Sequence, residues 1–305
     1  MKYLITIVGP TAIGKTSLSI ALANQFKCEI ISCDSRQFFK EMTVGTAVPS
    51  TAELAAAKHH FIQNKSIFEN YTVGDFEKEA ITKLDELFLK SDVAILVGGS
   101  GLYVDAVLKG FDEFPEIDAE IRAKINSIYE KLGIEYLQKE LEKLDPKYFQ
   151  LLTADNPQTL QNPQRMMRFV EVCLGSGMPY SSFLKQKQNS RNFTPILIGL
   201  EAERTIIYER INQRVDTMML QGLLQEAKKV YPKKELNALQ TVGYRELFSY
   251  FDNKISLEFA IEEIKKNTRR FSKRQLTWFK RNLNTKWFDY NDPFEDIISF
   301  IESKK

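Results

Sequence analysis

The chain begins MKYLITIVGPTAIGKTS, and this stretch restricts the possible fold more than any other. Tyr3–Val8 is a continuous apolar and β-branched run, the mark of a strand covered on both faces. It leads straight into Gly9, and Gly9, Gly14, Lys15 and Thr16 complete the pattern G-x-x-x-x-G-K-[ST]. Glycines there let the backbone curl so that successive N–H groups converge on phosphate oxygens. Lys15 adds a mobile positive charge, and the Thr16 hydroxyl is a candidate Mg²⁺ ligand. Leu18, Leu22 and Phe26 recur on one stripe, so a helix follows and turns the positive end of its dipole toward the same anion. Strand, loop and helix in that order make the segment from Gly9 through Pro10, Thr11, Ala12, Ile13, Gly14 and Lys15 to Thr16 a phosphate cradle.

Further short apolar runs at 29–32, at Val93–Val97 and at 195–200 alternate with helical patterns, which indicates a parallel α/β sheet with helices on both faces. Between 114 and 192 the texture changes. Charged amphipathic patterns (AEIRAKINSIYEKLG, then YLQKELEKL) dominate and no strand-like run interrupts them. The expected organisation is a core in two parts, 1–113 and 193–305, with a mainly helical insertion at 114–192. A last strand is expected at 287–290.

A chain of 305 residues with 43% hydrophobic and 27% charged residues has the balance of a globular protein large enough for this arrangement. The net charge of +2 announces no polyanionic partner by itself. Cys28, Cys33 and Cys173 lack CxxC spacing and there are two histidines, so neither a zinc site nor a disulfide framework is expected, and a reducing, cytoplasmic location fits. No apolar stretch is long enough to span a bilayer. His59 and His60 are adjacent and read as structural or surface residues, and Trp278 and Trp287 read as packing anchors.

A kinase or ATPase with such a loop usually carries an acid at the end of a second strand to hold the metal. Here VAILV runs into Gly98-Gly99-Ser100-Gly101 with no acid at its tip, and the acid is Asp34 in CDSRQFF. The carboxyl ends of parallel strands share one crevice, so the cradle, Asp34 and Ser100 should meet there. Asp34 has three possible roles: general base, outer-shell metal ligand, or cap of an ordinary Asp–Ser turn.

Taken together, these motifs resemble one family, the tRNA dimethylallyltransferases. GPTAIGKT is similar to the family's GPTASGKT, DSRQFF to DSxQxY, GTAVP at 45–49 to GTAKP, and GGSGLY at 98–103 to GGTGLY. NPQRMMRFVEV at 162–172 resembles NxQRxxRALEV, and RINQRVDTMMLQGLLQE, QTVGYRE and TRRFSKRQLTWFKR follow in order. The resemblance spans nearly the whole chain and implies a P-loop NTPase-like fold. It implies transfer of a dimethylallyl group from dimethylallyl diphosphate to the exocyclic amine of the adenosine 3′-adjacent to the anticodon, with Mg²⁺ as cofactor and no membrane. A monomer is expected.

The cradle would then hold a diphosphate. Lys15 and Arg214 would neutralise it, Thr16 would ligate Mg²⁺, Asp34 would take the amine proton, and Ser100, where the family usually has threonine, would hydrogen-bond nearby. Ile13 stands where the family commonly has serine, and Phe39 replaces a tyrosine. The anticodon arm of tRNA would be touched by Asp34, Ser35, Arg36 and Gln37. Gln164, Arg165, Met166, Met167 and Arg168 would also touch it, as would Gln240, Thr241, Val242, Gly243, Tyr244 and Arg245. Arg122 would lie on its phosphate backbone.

Independently of resemblance, IKKNTRRFSKRQLTWFKR carries eight cations and no acid. The series Lys265/Arg269/Lys273 and Lys266/Arg270/Arg274 recur every four residues and line adjacent rows of one helix. This is either an RNA-binding face, with Lys273 and Arg274 central to it, or a solvated face balanced by the preceding acids. Two rival functions remain at this stage: an ATP-dependent small-molecule kinase, and an RNA-binding module with a relic loop.

Overall fold

The computed structural model describes residues 1–112, 114–184 and 190–305. Glu113, at the expected end of the first core segment, and 185–189, inside the expected insertion, lie outside the described residues. The chain divides into two compact units, one formed by Met1–Lys109 with Arg191–Lys305 and the other by Gly110–Ser190.

In the larger unit, β1 (Tyr3–Val8), α1 (Lys15–Phe26) and β2 (Ile30–Ser32) lead to α2 (Thr51–Ala56), β3 (His59–His60), α3 (Val73–Phe88), β4 (Val93–Val97) and α4 (Gly101–Lys109). In the smaller unit the helices are α5 (Ala119–Leu144), α6 (Pro146–Asp155) and α7 (Pro163–Ser176). The larger unit resumes with β5 (Thr194–Glu201), α8 (Arg204–Leu220), α9 (Leu223–Val230), α10 (Tyr244–Phe251), α11 (Leu257–Phe279), β6 (Lys286–Asp289) and α12 (Phe294–Glu302). The six strands form one sheet in the order β3-β2-β4-β1-β5-β6, and each recorded strand pairing is parallel.

Alternation along the strands explains why both faces had to be apolar. Tyr3, Ile5 and Ile7 of β1, with Ile95 and Ile198, pack against Leu22 of α1, Ile207 and Ile211 of α8, and Ile297 and Ile301 of α12. Leu4 and Val8, with Ala94 and Leu96, pack on the other face against Phe76, Ala80 and Leu84 of α3 and Val104 and Val107 of α4. Fully burying such a side chain contributes about 1.5–3 kcal/mol. A backbone hydrogen bond adds a net of about 1 kcal/mol, so two-sided burial dominates what holds the sheet. A third cluster joins Phe39, Met42 and Ile67 to Leu223, Leu247 and Ile264, docking the 38–48 segment on α9, α10 and the first half of α11.

Each of the two histidines makes a side-chain contact to a neighbouring segment. Nε2 of His60 lies 2.6 Å from a Glu29 carboxylate oxygen, and Nδ1 of His59 lies 2.8 Å from the Ala57 carbonyl. The smaller unit is helix, short 3₁₀ turns and loop throughout its described residues. Its two amphipathic patterns fall on either side of Gly133, whose φ of 71° kinks α5 where a residue with a Cβ would be strained. Among the described residues no helix is long and apolar enough to cross a membrane.

Candidate active site

Three helices show what is special about the phosphate loop. α2 and α3 satisfy their own first turns with capping boxes, Ser50 with Glu53 and Thr72 with Asp75. α1 starts after Gly14 with no side-chain cap and no acid in its first turn, so its leading N–H groups are left for a ligand. Gly9 has a φ of 146° and presses on β5, where a Cβ would come within 2.6 Å of the Leu200 carbonyl. The Lys15 ammonium folds back over the loop, donating to the carbonyls of Gly9 at 3.1 Å and Pro10 at 2.7 Å. Burial lowers its pKa to about 8; the nearby Asp34 carboxylate opposes that shift and the Arg214 guanidinium adds to it. The side chains of Ala12 and Ile13 are buried in the core, so those residues offer the cavity only their backbone. Arg210 Nε holds the Ala12 carbonyl at 2.8 Å, and Arg214 reaches the Thr11 hydroxyl at 3.5 Å.

Asp34 follows β2, half-buried at the strand's carboxyl end. Its Oδ1 accepts the Arg36 N–H at 3.2 Å, so the turn role foreseen for it is real. Burial nevertheless raises its carboxyl pKa, against the pull of that N–H and of Lys15, Arg36 and Arg214. A carboxylate in this condition is a better proton acceptor than a free one. Two cavities meet at it. The first, about 680 Å³, is lined by Thr11–Ser17, the 43–51 loop, His59, Arg210 and Arg214. The second, about 540 Å³, is lined by Ser35, Arg36, Gly99–Tyr103, Gln240–Gly243, Arg245, Phe271, Arg274 and Trp278. Thr11, Asp34, Thr46, Ala47, Arg214 and Met218 line both.

Side chains hold the walls in place. The Ser100 hydroxyl accepts the Ser35 N–H at 3.0 Å and donates to the Ser35 hydroxyl at 3.0 Å, which joins the glycine turn after β4 to the residue beside Asp34. Gln37 donates to the carbonyls of Thr46 and Ala47, and Arg36 to those of Asn237 and Ala238. Glu226 carries no distinctive signal in the sequence, yet its carboxylate accepts the N–H groups of Thr43, Val44 and Gly45 at 2.8–2.9 Å. Gln275 is equally inconspicuous in the sequence, since a lone polar residue among cations carries no local signal of an inward-facing role.

Some expectations for side chains need correction. Tyr244 is fully buried, donates to Glu226 at 2.6 Å and lies where a Cβ on Gly45 would meet its ring, so its side chain is a packing element and not a surface for RNA. Met166 and Met167 face the core of the smaller unit, because their positions on α7 fall on its apolar stripe. Arg122 is engaged, paired with Glu171 and donating to Gln164 at 3.1 Å, and Glu171 also takes Arg168 at 3.1 Å. Arg165 reaches the Thr159 hydroxyl at 3.1 Å.

The basic rows of α11 split along the helix. Lys265 is held by Asp216 and Glu262, Lys266 by Glu263, and Arg269 by Asn212. Lys273 and Arg274 are exposed, with Arg274 lying over the exposed Phe271 ring at 5.7 Å, at the second cavity. Trp278 is anchored as expected, its indole N–H on Asp105 at 2.9 Å.

The family model described as IPP transferase matches residues 37–282, beginning just past the phosphate loop and Asp34. Full-length relatives extend across both. The tRNA dimethylallyltransferase of Flavobacterium johnsoniae is 76% identical over 301 residues, covering 99% of this chain and 97% of the relative. That of Flavobacterium psychrophilum is 71% identical over 304 residues, covering 100% and 99%. Among solved structures, the Bacillus halodurans tRNA isopentenylpyrophosphate transferase superposes with a TM-score of 0.73 at 35% identity, covering 100% of this chain and 97% of its own. A eukaryotic dimethylallyltransferase described as acting on tRNA superposes with a TM-score of 0.76 at 25% identity, covering 96% and 75%. With the family model matching 37–282 and relatives matched end to end at 71% and 76% identity, this chain belongs to the IPP transferase family, the tRNA dimethylallyltransferases.

Proposed function

We propose that this protein transfers a dimethylallyl group from dimethylallyl diphosphate to the exocyclic amine of the adenosine 3′-adjacent to the anticodon of tRNA, releasing diphosphate. The observation that supports it best is the position of Asp34 at the junction of a phosphate-cradling cavity and an aromatic, cation-rimmed one. The donor's diphosphate sits on the loop at the uncapped start of α1, and the Lys15 ammonium and Arg214 guanidinium oppose the charge that grows on it. The adenine, turned out of its stack, enters through the second cavity. The amine nitrogen forms its bond to the allylic carbon as the carbon–oxygen bond to the diphosphate breaks, and the Asp34 carboxylate takes the amine proton.

The residues present fit Mg²⁺. Among the described residues no group of three His, Cys, Asp or Glu could hold a metal. Mg²⁺ keeps water and substrate phosphates as its main ligands, with few from protein. Thr16 would hold it, and the ion would supply charge neutralisation at the diphosphate. The exposed Lys273 and Arg274, together with Arg245, contribute to binding the tRNA backbone. In the smaller unit Arg122, Gln164, Arg165 and Arg168 form a separate polar surface for the same partner.

Incubation of unmodified tRNA with the protein, Mg²⁺ and dimethylallyl diphosphate, followed by mass spectrometry of the nucleosides, should yield one prenylated adenosine per tRNA. Product from ATP in place of the isoprenoid, with none from dimethylallyl diphosphate, would overturn the proposal.

A further inference from the structure

Gln275 lies on α11 with 5% of its surface exposed, and its carboxamide spans two loops. Its Oε1 accepts the Thr11 N–H at 2.9 Å and its Nε2 donates to the Gly99 carbonyl at 2.9 Å. Thr11 belongs to the phosphate loop. Gly99 precedes Ser100, whose hydroxyl is bonded to Ser35 beside Asp34. An amide presents an acceptor and a donor in one plane, which an alkyl chain, a hydroxyl or a single charge cannot reproduce. The fit is close, since a Cβ on Gly99 would come within 2.2 Å of the Gln275 amide nitrogen.

We infer that Gln275 is a positioning residue, an amide strut that fixes the separation between the diphosphate cradle and the Asp34–Ser100 side of the acceptor cavity. Gln275 lines the second cavity, and there it acts by holding Thr11 and Gly99. Removing it leaves a buried N–H and a buried carbonyl without partners, and the loops recover those bonds only by shifting. A shift of about 1 Å in the alignment of reacting groups is enough to cost about a hundredfold in rate.

This inference rests on reading Gly9–Thr16 as a diphosphate cradle, and the test separates the two. Calorimetry with inorganic pyrophosphate and Mg²⁺ is run on the full chain and on Gln275→Met and Gln275→Glu. Methionine keeps the length and packing and drops both hydrogen bonds. For Gln275→Met, pyrophosphate Kd should rise about tenfold and kcat fall about tenfold, with tRNA Kd within about twofold. Gln275→Glu keeps the acceptor for Thr11 but sets a carboxylate oxygen against the Gly99 carbonyl, so it should hold pyrophosphate better than the methionine variant while still losing kcat. A merely structural residue would lower the melting temperature and leave pyrophosphate affinity of the folded protein unchanged. Wild-type pyrophosphate affinity and turnover in Gln275→Met overturn the strut. If that variant does not fold, wild-type turnover in Gln275→Glu does so instead. Failure of the unaltered chain to bind pyrophosphate overturns the cradle reading beneath it.

Discussion

The two cavities that meet at Asp34 are built in opposite ways. One wall of the first is a run of neighbouring residues, Thr11–Ser17, whose backbone leads into an uncapped helix, although Arg210 and Arg214 come from far along the chain. The second is assembled from residues 34–36, 45–47, 99–103, 240–245 and positions along α11, and its walls depend on side chains such as Ser100, Arg36 and Glu226. The difference teaches that the loop backbone on the first side is coded locally, while the walls of the second are a product of packing. Substitutions on the first side should therefore act on donor chemistry, and substitutions on the second on RNA.

The sharpest way to break this comparison is at Asp34, one of the residues the cavities share. Asp34→Ala should lower kcat about a hundredfold or more while pyrophosphate and tRNA affinities stay within about threefold, because a base is lost and neither ligand is. Equal losses in binding and in turnover would make Asp34 a wall and not a base.

The donor side can be isolated by pH. Asp34 must be ionised to take a proton, so kcat/KM rises with pH through its raised pKa. Lys15 must stay protonated to stabilise the diphosphate, so kcat/KM falls as pH passes about 8. In that limb the loss is about tenfold per pH unit. Lys15→Arg keeps the charge and should abolish the falling limb, whatever its effect on the maximum. A limb near 8 that persists in Lys15→Arg would show that another group titrates.

The acceptor side should respond to α11 unevenly. Lys273→Ala or Arg274→Ala should weaken tRNA binding about three- to tenfold and reduce the salt slope by about 0.7–0.9 each, since each exposed cation releases one counterion. Lys265→Ala should change the slope much less, because Asp216 and Glu262 already neutralise that ammonium. Binding isotherms across a salt series decide it, and equal slopes for all three variants would erase the distinction between the two halves of the helix.

Much of the fold was legible because its signals are periodic. The run at 195–200 fell inside Thr194–Glu201, the run at 29–32 covered Ile30–Ser32, and the weak tail at 287–290 met Lys286–Asp289 with a one-residue offset. β3 was not legible, since two histidines carry no strand pattern and become a strand only by pairing with Ile30 and Ile31. The same limit hid the inward faces. Motif likeness placed Met166, Met167 and Tyr244 on tRNA, whereas burial placed their side chains in cores.

By itself the sequence determined the strand–loop–helix of Tyr3–Phe26, the parallel sheet and the helical character of the smaller unit's described residues. Backbone curl and hydrophobic period are properties of neighbouring residues. Tertiary structure alone decided that Gln275 reaches Thr11 across 264 positions and that Glu226 grips Gly45 across 181. It also decided which cations of α11 remain free. A hydrogen bond between distant segments leaves no trace in local pattern, because it exists only once buried apolar surface has brought those segments together.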